Sequence, residues 1–155
     1  MAIEIERKFI AKSCDDVIKK AIKVTKIQQG YLSTTAERTV RVRITDDKAF
    51  LTIKSKNIGA VRNEWEYEIP VEDALAMLAL PGVKKLSKTR YVVIAKDGRI
   101  WEVDYFHDDL SGLILAEIEL EDENENFALP SFVEREVTGD KQYFNSNLVL
   151  YGMPR

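Results

Sequence analysis

From residue 3 onward the chain repeatedly sets apolar and charged side chains at alternate positions. In "EIERK", Glu4, Glu6 and Lys8 leave one face of an extended strand, and Ile3, Ile5 and Phe9, with Arg7 among them, leave the other. "TVRVRIT" sets Arg41 and Arg43 against Val40, Val42 and Ile44, and "FLTIKSK" sets Lys54 and Lys56 against Leu51 and Ile53. "NEWEYEI" aligns Glu64, Glu66 and Glu68 opposite Trp65, Tyr67 and Ile69. "SKTRYVVIA" carries Lys88 and Arg90, and "WEVDYF" carries Glu102 and Asp104 backed by Trp101, Val103 and Tyr105. "AEIELE" carries Glu117, Glu119 and Glu121 backed by Ile118 and Leu120. A period of two predicts strands throughout. Asp46-Asp47 and Asp97-Gly98 read as hairpin turns.

Helical patterning is limited. Ser13 is placed to cap a helix with Asp15 and Asp16 in its first turn and Val17, Ile18, Ala21 and Ile22 on one face. A second helix runs through "EDALAML" and stops before Pro81-Gly82; a third falls near "DENENFAL" and a fourth in "KQYFNSNLVL". The fold class is therefore α+β, mainly antiparallel β. No repeat or linker divides the chain, and 155 residues fit one domain spanning 1–155.

Like charges along one sheet face repel, and an ordinary wet surface would mix the signs. Repetition on strand after strand, each with an apolar reverse, favours a different arrangement from a merely solvated face. The helices cover the apolar side, and seven or eight strands curl into a barrel whose interior is charged. A lipocalin-like carrier would have an apolar lining; this one has Arg, Lys and Glu. Such an interior, costly when empty, suits a ligand that supplies the missing counter-charge. Arg forks and Lys ammonium groups hold phosphate oxygens, and carboxylates hold Mg²⁺ or Mn²⁺.

Composition narrows the field. A net charge of −3 argues against a general nucleic-acid binder. No window nears the roughly 20 apolar residues of a membrane span, and a charged strand at the N-terminus does not read as a signal peptide. Cys14 is alone, so a cytoplasmic setting is expected. There is no phosphate-binding glycine loop, and one His (His107) with one Cys makes no zinc site. "EDENENF" lacks the spacing and central glycine of a calcium loop.

"EIERK" also has the form ExExK. Together with "QQGYL", "RVR", "TIK", "EYEI", "KTRY", "AEIE" and "DKQY", in that order from residue 3 to about 150, it resembles the CYTH, or triphosphate tunnel metalloenzyme, superfamily. The likeness is greatest to its short bacterial members, which hydrolyse inorganic tripolyphosphate. The resemblance implies an eight-stranded tunnel closed at one end by a C-terminal helix, a possible homodimer, and Mg²⁺ or Mn²⁺, two ions with substrate bound. Residue by residue, it implies metal ligation by Glu4, Glu6, Glu66, Glu117 and Glu119, with Glu64 and Glu68 open. Phosphate binding falls to Arg41, Arg43, Lys54, Lys88, Arg90 and Lys141. Lys8 and Tyr31 resemble the catalytic dyad of the short members, which implies a hydrogen bond between them and Lys8 as base; a lysine of ordinary pKa near 10.4 needs neighbouring cations for that task. Class IV adenylyl cyclases and thiamine or nucleoside triphosphatases share the superfamily, and a non-catalytic triphosphate-binding module is the rival outside enzymology.

Overall fold

Strands dominate because residues alternate between an apolar and a charged side, and their pairing closes on itself. The structure, a computed structural model, describes residues 1–155. Its elements in chain order are β1 (Ala2–Ala11), α1 (Asp15–Lys20), β2 (Lys23–Ser33), β3 (Arg38–Thr45), β4 (Lys48–Ser55), β5 (Val61–Ile69) and α2 (Val71–Leu78). Then follow β6 (Lys84–Ile94), β7 (Ile100–Phe106), β8 (Ile114–Glu119), β9 (Val133–Glu136) and α3 (Asn145–Tyr151). The order β5-β4-β3-β2-β6-β7-β8-β1 is closed by pairing of β1 with β5, giving an eight-stranded antiparallel barrel. β9 adds to the last residues of β1, opposite Phe9–Ala11. No helix is long and apolar enough to cross a membrane.

The outward face is the hydrophobic one. Phe9, Trp101, Val103 and Ile118 pack with Val17 of α1 and with Phe132. On the opposite wall Val42 and Ala49 pack with Ala74 and Leu78, one helical turn apart on α2. Gly30 on β2 allows that approach, since a Cβ there would lie 2.7 Å from Leu78 Cδ2. The inward face changes character along its length. Leu86, Phe106 and Leu115, which share that face with Lys88, Asp104 and Glu117, join Tyr143 and Leu148 in an apolar cluster. The C-terminal segment thus closes one end of the barrel, and the charged residues occupy the rest.

Four local expectations are corrected. "DENENFAL" forms no helix: the Glu125 carboxylate accepts from Glu121 N–H and pairs with Arg99, which fixes a loop instead. Ser13 caps nothing; α1 starts after Cys14 without a side-chain cap. That helix ends at Lys20, so Ile22 never joins its apolar face, and Ile18 and Ile22 are exposed. "KQYFNSNLVL" is split at Phe144 into a 3₁₀ turn, Lys141–Tyr143, and α3.

Candidate active site

Inside the barrel lies a cavity of about 320 Å³. Strand register places its charges. On β1 and β8, Glu6 stands opposite Glu119 and Lys8 opposite Glu117. On β3 and β2, Arg41 stands opposite Tyr31 and Arg43 opposite Gln29. Seven basic and seven acidic side chains line the space, with Tyr31 and Phe144 its only aromatic groups. The acidic set is Glu4, Glu6, Glu64, Glu66, Glu102, Glu117 and Glu119; the basic set is Lys8, Arg41, Arg43, Lys54, Arg62, Lys88 and Arg90.

All but one of the site residues expected from the sequence therefore meet in one cavity. The exception is Lys141, which is exposed and lines an adjoining recess of about 140 Å³. That recess shares Arg62, Gly139 and Phe144 with the cavity. Of the open positions, Glu64 lines the cavity and Glu68 does not. Asp104 sits behind the lining, fully buried.

Most of the charges are already paired. Lys54 Nζ donates to both Glu4 oxygens at 2.9 and 3.0 Å, and Arg62 Nε lies 3.7 Å from Glu4. Glu66 accepts from Thr52 at 2.8 Å and from Arg41 at 3.5 Å. Asp104 takes Arg90 through two bonds of 2.7 and 2.9 Å and Lys88 Nζ at 2.7 Å. Burial by itself would raise the Asp104 carboxyl, but Arg90, joined by Lys88 in its protonated form, holds it far below the usual range. For Lys88, burial outweighs the Asp104 attraction and brings its pKa down to about 7.

Four groups lack an opposite charge within 4 Å: Arg43 on the basic side, and Glu6, Glu64 and Glu119 on the acidic side. Burial and then the neighbouring Arg41 and Arg90 lower Arg43 to about 9. Glu6 is raised well above the carboxylate range by burial and then by Glu117 and Glu4. Burial is also the main cause of the rise in Glu119, reinforced by Glu4, and of that in Glu64, to about 7. One wall, β1 with β5 and β8, thus holds carboxylates in surplus over the cations that face them. No three carboxylates converge as a finished cluster, and Glu4 is engaged by Lys54. The donor set nevertheless fits a hard divalent cation: it is all carboxylate oxygen, and its unmet need is positive charge.

The expected Lys8–Tyr31 hydrogen bond is absent. Lys8 Nζ donates to the Tyr143 carbonyl at 3.1 Å, and its ion-pair partner is a carboxylate, Glu117 Oε1 at 3.7 Å, in place of the expected cations. Burial would raise Glu117, but Lys8 and Arg90 hold it at about 2. The Tyr31 hydroxyl accepts from Gln29 Nε2 at 3.2 Å. Gln29, Arg62 and Asn145 are contributors that the charge alternation did not single out. Gln29 and Asn145 are uncharged, and Arg62 precedes the acidic run of β5.

A family model for the CYTH domain matches residues 2–147. An inorganic triphosphatase of Acetivibrio thermocellus is 45% identical over 150 residues, 96% of this chain and 94% of that one. An inorganic triphosphatase of Nitrosomonas europaea is 35% identical over 150 residues, 95% of this chain and 97% of that one. Among solved structures, the inorganic triphosphatase NE1496 superposes with a TM-score of 0.70 at 34% identity, covering 97% of this chain and 100% of its own.

Proposed function

The chain belongs to the CYTH domain family, and from that membership and the lining of its cavity we propose that it hydrolyses inorganic tripolyphosphate to pyrophosphate and orthophosphate. One observation carries the reading: seven cations and seven carboxylates face one cavity whose lining is predominantly polar. A linear triphosphate matches that lining. A nucleotide base would need an apolar or stacking slot, and only Tyr31 and Phe144 offer rings.

Glu4, Glu6, Glu117 and Glu119, with Glu66 at the margin, would hold Mg²⁺ or Mn²⁺, which when bound polarises a phosphoryl oxygen. Arg41, Arg43, Lys54, Lys88 and Arg90 bind the phosphate oxygens and keep the chain of phosphates extended for in-line attack. Arg43, free of any carboxylate, meets substrate with its charge uncompensated, so it contributes most per contact. Lys8, held by the Tyr143 carbonyl beside Glu117, takes the proton from the attacking water when it is in its neutral form. Tyr31 presents its hydroxyl to the reacting phosphate. Lys141, in the adjoining recess, adds positive charge beside the cavity.

The test is a substrate panel in Mg²⁺ or Mn²⁺: tripolyphosphate, ATP, GTP, thiamine triphosphate and pyrophosphate, scored for orthophosphate and for cyclic nucleotide. Tripolyphosphate should show the highest kcat/KM, with no cyclic product. Cyclic AMP as the main product from ATP would overturn the hydrolase reading. Tight tripolyphosphate binding without turnover would assign the chain to a binding role.

A further inference from the structure

Beneath the phosphate-facing cations runs an uncharged set of contacts. Gln29 is fully buried on the inward face of β2. Its Oε1 accepts from Arg43 Nε at 2.9 Å, and its Nε2 donates to the Tyr31 hydroxyl at 3.2 Å and to Asn145 Oδ1 at 3.0 Å. Asn145 Oδ1 accepts in turn from Lys88 Nζ at 2.8 Å. These partners force the orientation of the amide. Exchanging its oxygen and nitrogen would set two donors against each other at Arg43 and two acceptors at Asn145.

Two consequences follow for the groups that meet substrate. The Tyr31 oxygen already accepts from Gln29, so its own O–H bond is turned away from the amide, and Tyr31 forms part of the cavity wall. Arg43 is anchored by a neutral acceptor, which fixes the guanidinium without offsetting its charge, as a glutamate would. We propose that Gln29 is a positioning residue: it aims the Tyr31 hydroxyl proton into the cavity and holds Arg43 ready for a phosphate oxygen. Asn145, at the start of α3, extends the same network to Lys88, so the C-terminal segment that closes the barrel also sets the cations. This role rests on the triphosphatase reading above.

The test is a double-mutant cycle. Gln29→Met keeps the side-chain length and removes all three hydrogen bonds; it is assayed on tripolyphosphate in the parent and in a Tyr31→Phe background, with melting temperatures recorded. In the parent, Gln29→Met should lower kcat about tenfold, the scale of one lost oriented hydrogen bond, and change KM less. In the Tyr31→Phe background it should change kcat less than about twofold, because no hydroxyl remains to be aimed, while the smaller rise in KM from the unanchored Arg43 persists in both backgrounds. Equal kcat losses in both backgrounds, or an unchanged KM in both, would overturn the proposal. Should Gln29→Met melt too low to assay, Gln29→Glu keeps the volume and the Arg43 contact. Its carboxylate draws the Tyr31 proton toward itself and neutralises Arg43, so kcat should fall and KM rise; unchanged values would overturn the proposal. A parent protein that releases no phosphate from tripolyphosphate would reject the site reading itself, and this role with it.

Discussion

Substrate binding should draw a proton onto Lys88. The residue is 2% exposed, with Nζ held by Asp104 Oδ2 at 2.7 Å and Asn145 Oδ1 at 2.8 Å. Burial, with Arg90 and Arg43 nearby, sets its pKa at about 7 despite Asp104. In the unfolded chain the group titrates near 10.4, so between about pH 7 and 10.4 the folded protein binds fewer protons, and Lys88 adds stability as pH rises. A bound polyanion reverses that balance by favouring the ammonium form. At pH 8, one unit above, about a tenth of Lys88 is charged, so binding should take up about 0.9 proton at this site. The affinity for metal-free tripolyphosphate should then fall about tenfold per pH unit above 7 through this group alone. Calorimetric titrations at pH 8 in two buffers of different ionisation enthalpy measure the proton count. Lys88→Gln isolates the contribution, because protons released by the ligand itself cancel between the two proteins. The parent should take up about 0.9 proton more than Lys88→Gln at pH 8, the share of Lys88 left neutral one unit above its pKa, and the difference should shrink toward pH 6. Equal uptake at pH 8 would refute the argument that Lys88 waits neutral for its substrate.

Three further outcomes are expected. Gly30→Ala puts a methyl 2.7 Å from Leu78 Cδ2 and 3.2 Å from the Lys84 carbonyl, so chemical denaturation should show a loss of about 1–3 kcal/mol with activity retained at low temperature. Glu119→Gln keeps shape but removes a carboxylate from the surplus wall; with the fold intact by circular dichroism, it should abolish phosphate release, as should EDTA in the parent, and full activity in either case would contradict divalent-cation dependence. Lys8→Arg substitutes a group that cannot serve as a proton acceptor, so turnover should fall on the order of 10²-fold; full turnover would remove Lys8 from the role of base.

The barrel and most of its lining were legible because charged residues fall on one parity of each strand. Arg41 with Arg43, Glu64 with Glu66, and Glu117 with Glu119 all point inward as alternation requires. β2 escaped that reading. Its inward residues, Lys23, Thr25, Ile27, Gln29 and Tyr31, mix charged, polar and apolar types, so no period-two contrast marks it, although it pairs with both β3 and β6. β9 is four residues long, too short for any pattern to stand out. Pairings across long separations were also hidden: nothing local to Lys8 announces the Tyr143 carbonyl, 135 residues away. "DENENFAL" misled because helix-compatible composition was overridden by the distant Arg99.

Because the sheet closes into a tube with its hydrophobic side outward, sequence neighbours answer to different demands. Val42 touches α2, while Arg41 and Arg43 on either side of it face the cavity. Ile118 packs in the outer core, while Glu117 and Glu119 flank it inside. Adaptation of such a scaffold can therefore proceed on two interleaved alphabets. Odd steps along β3 or β8 would retune affinity, metal choice or reaction, and even steps would retune heat tolerance, with little cross-talk. Randomising only the inward parity of one strand should yield folded variants with altered chemistry far more often than randomising a contiguous stretch of equal size.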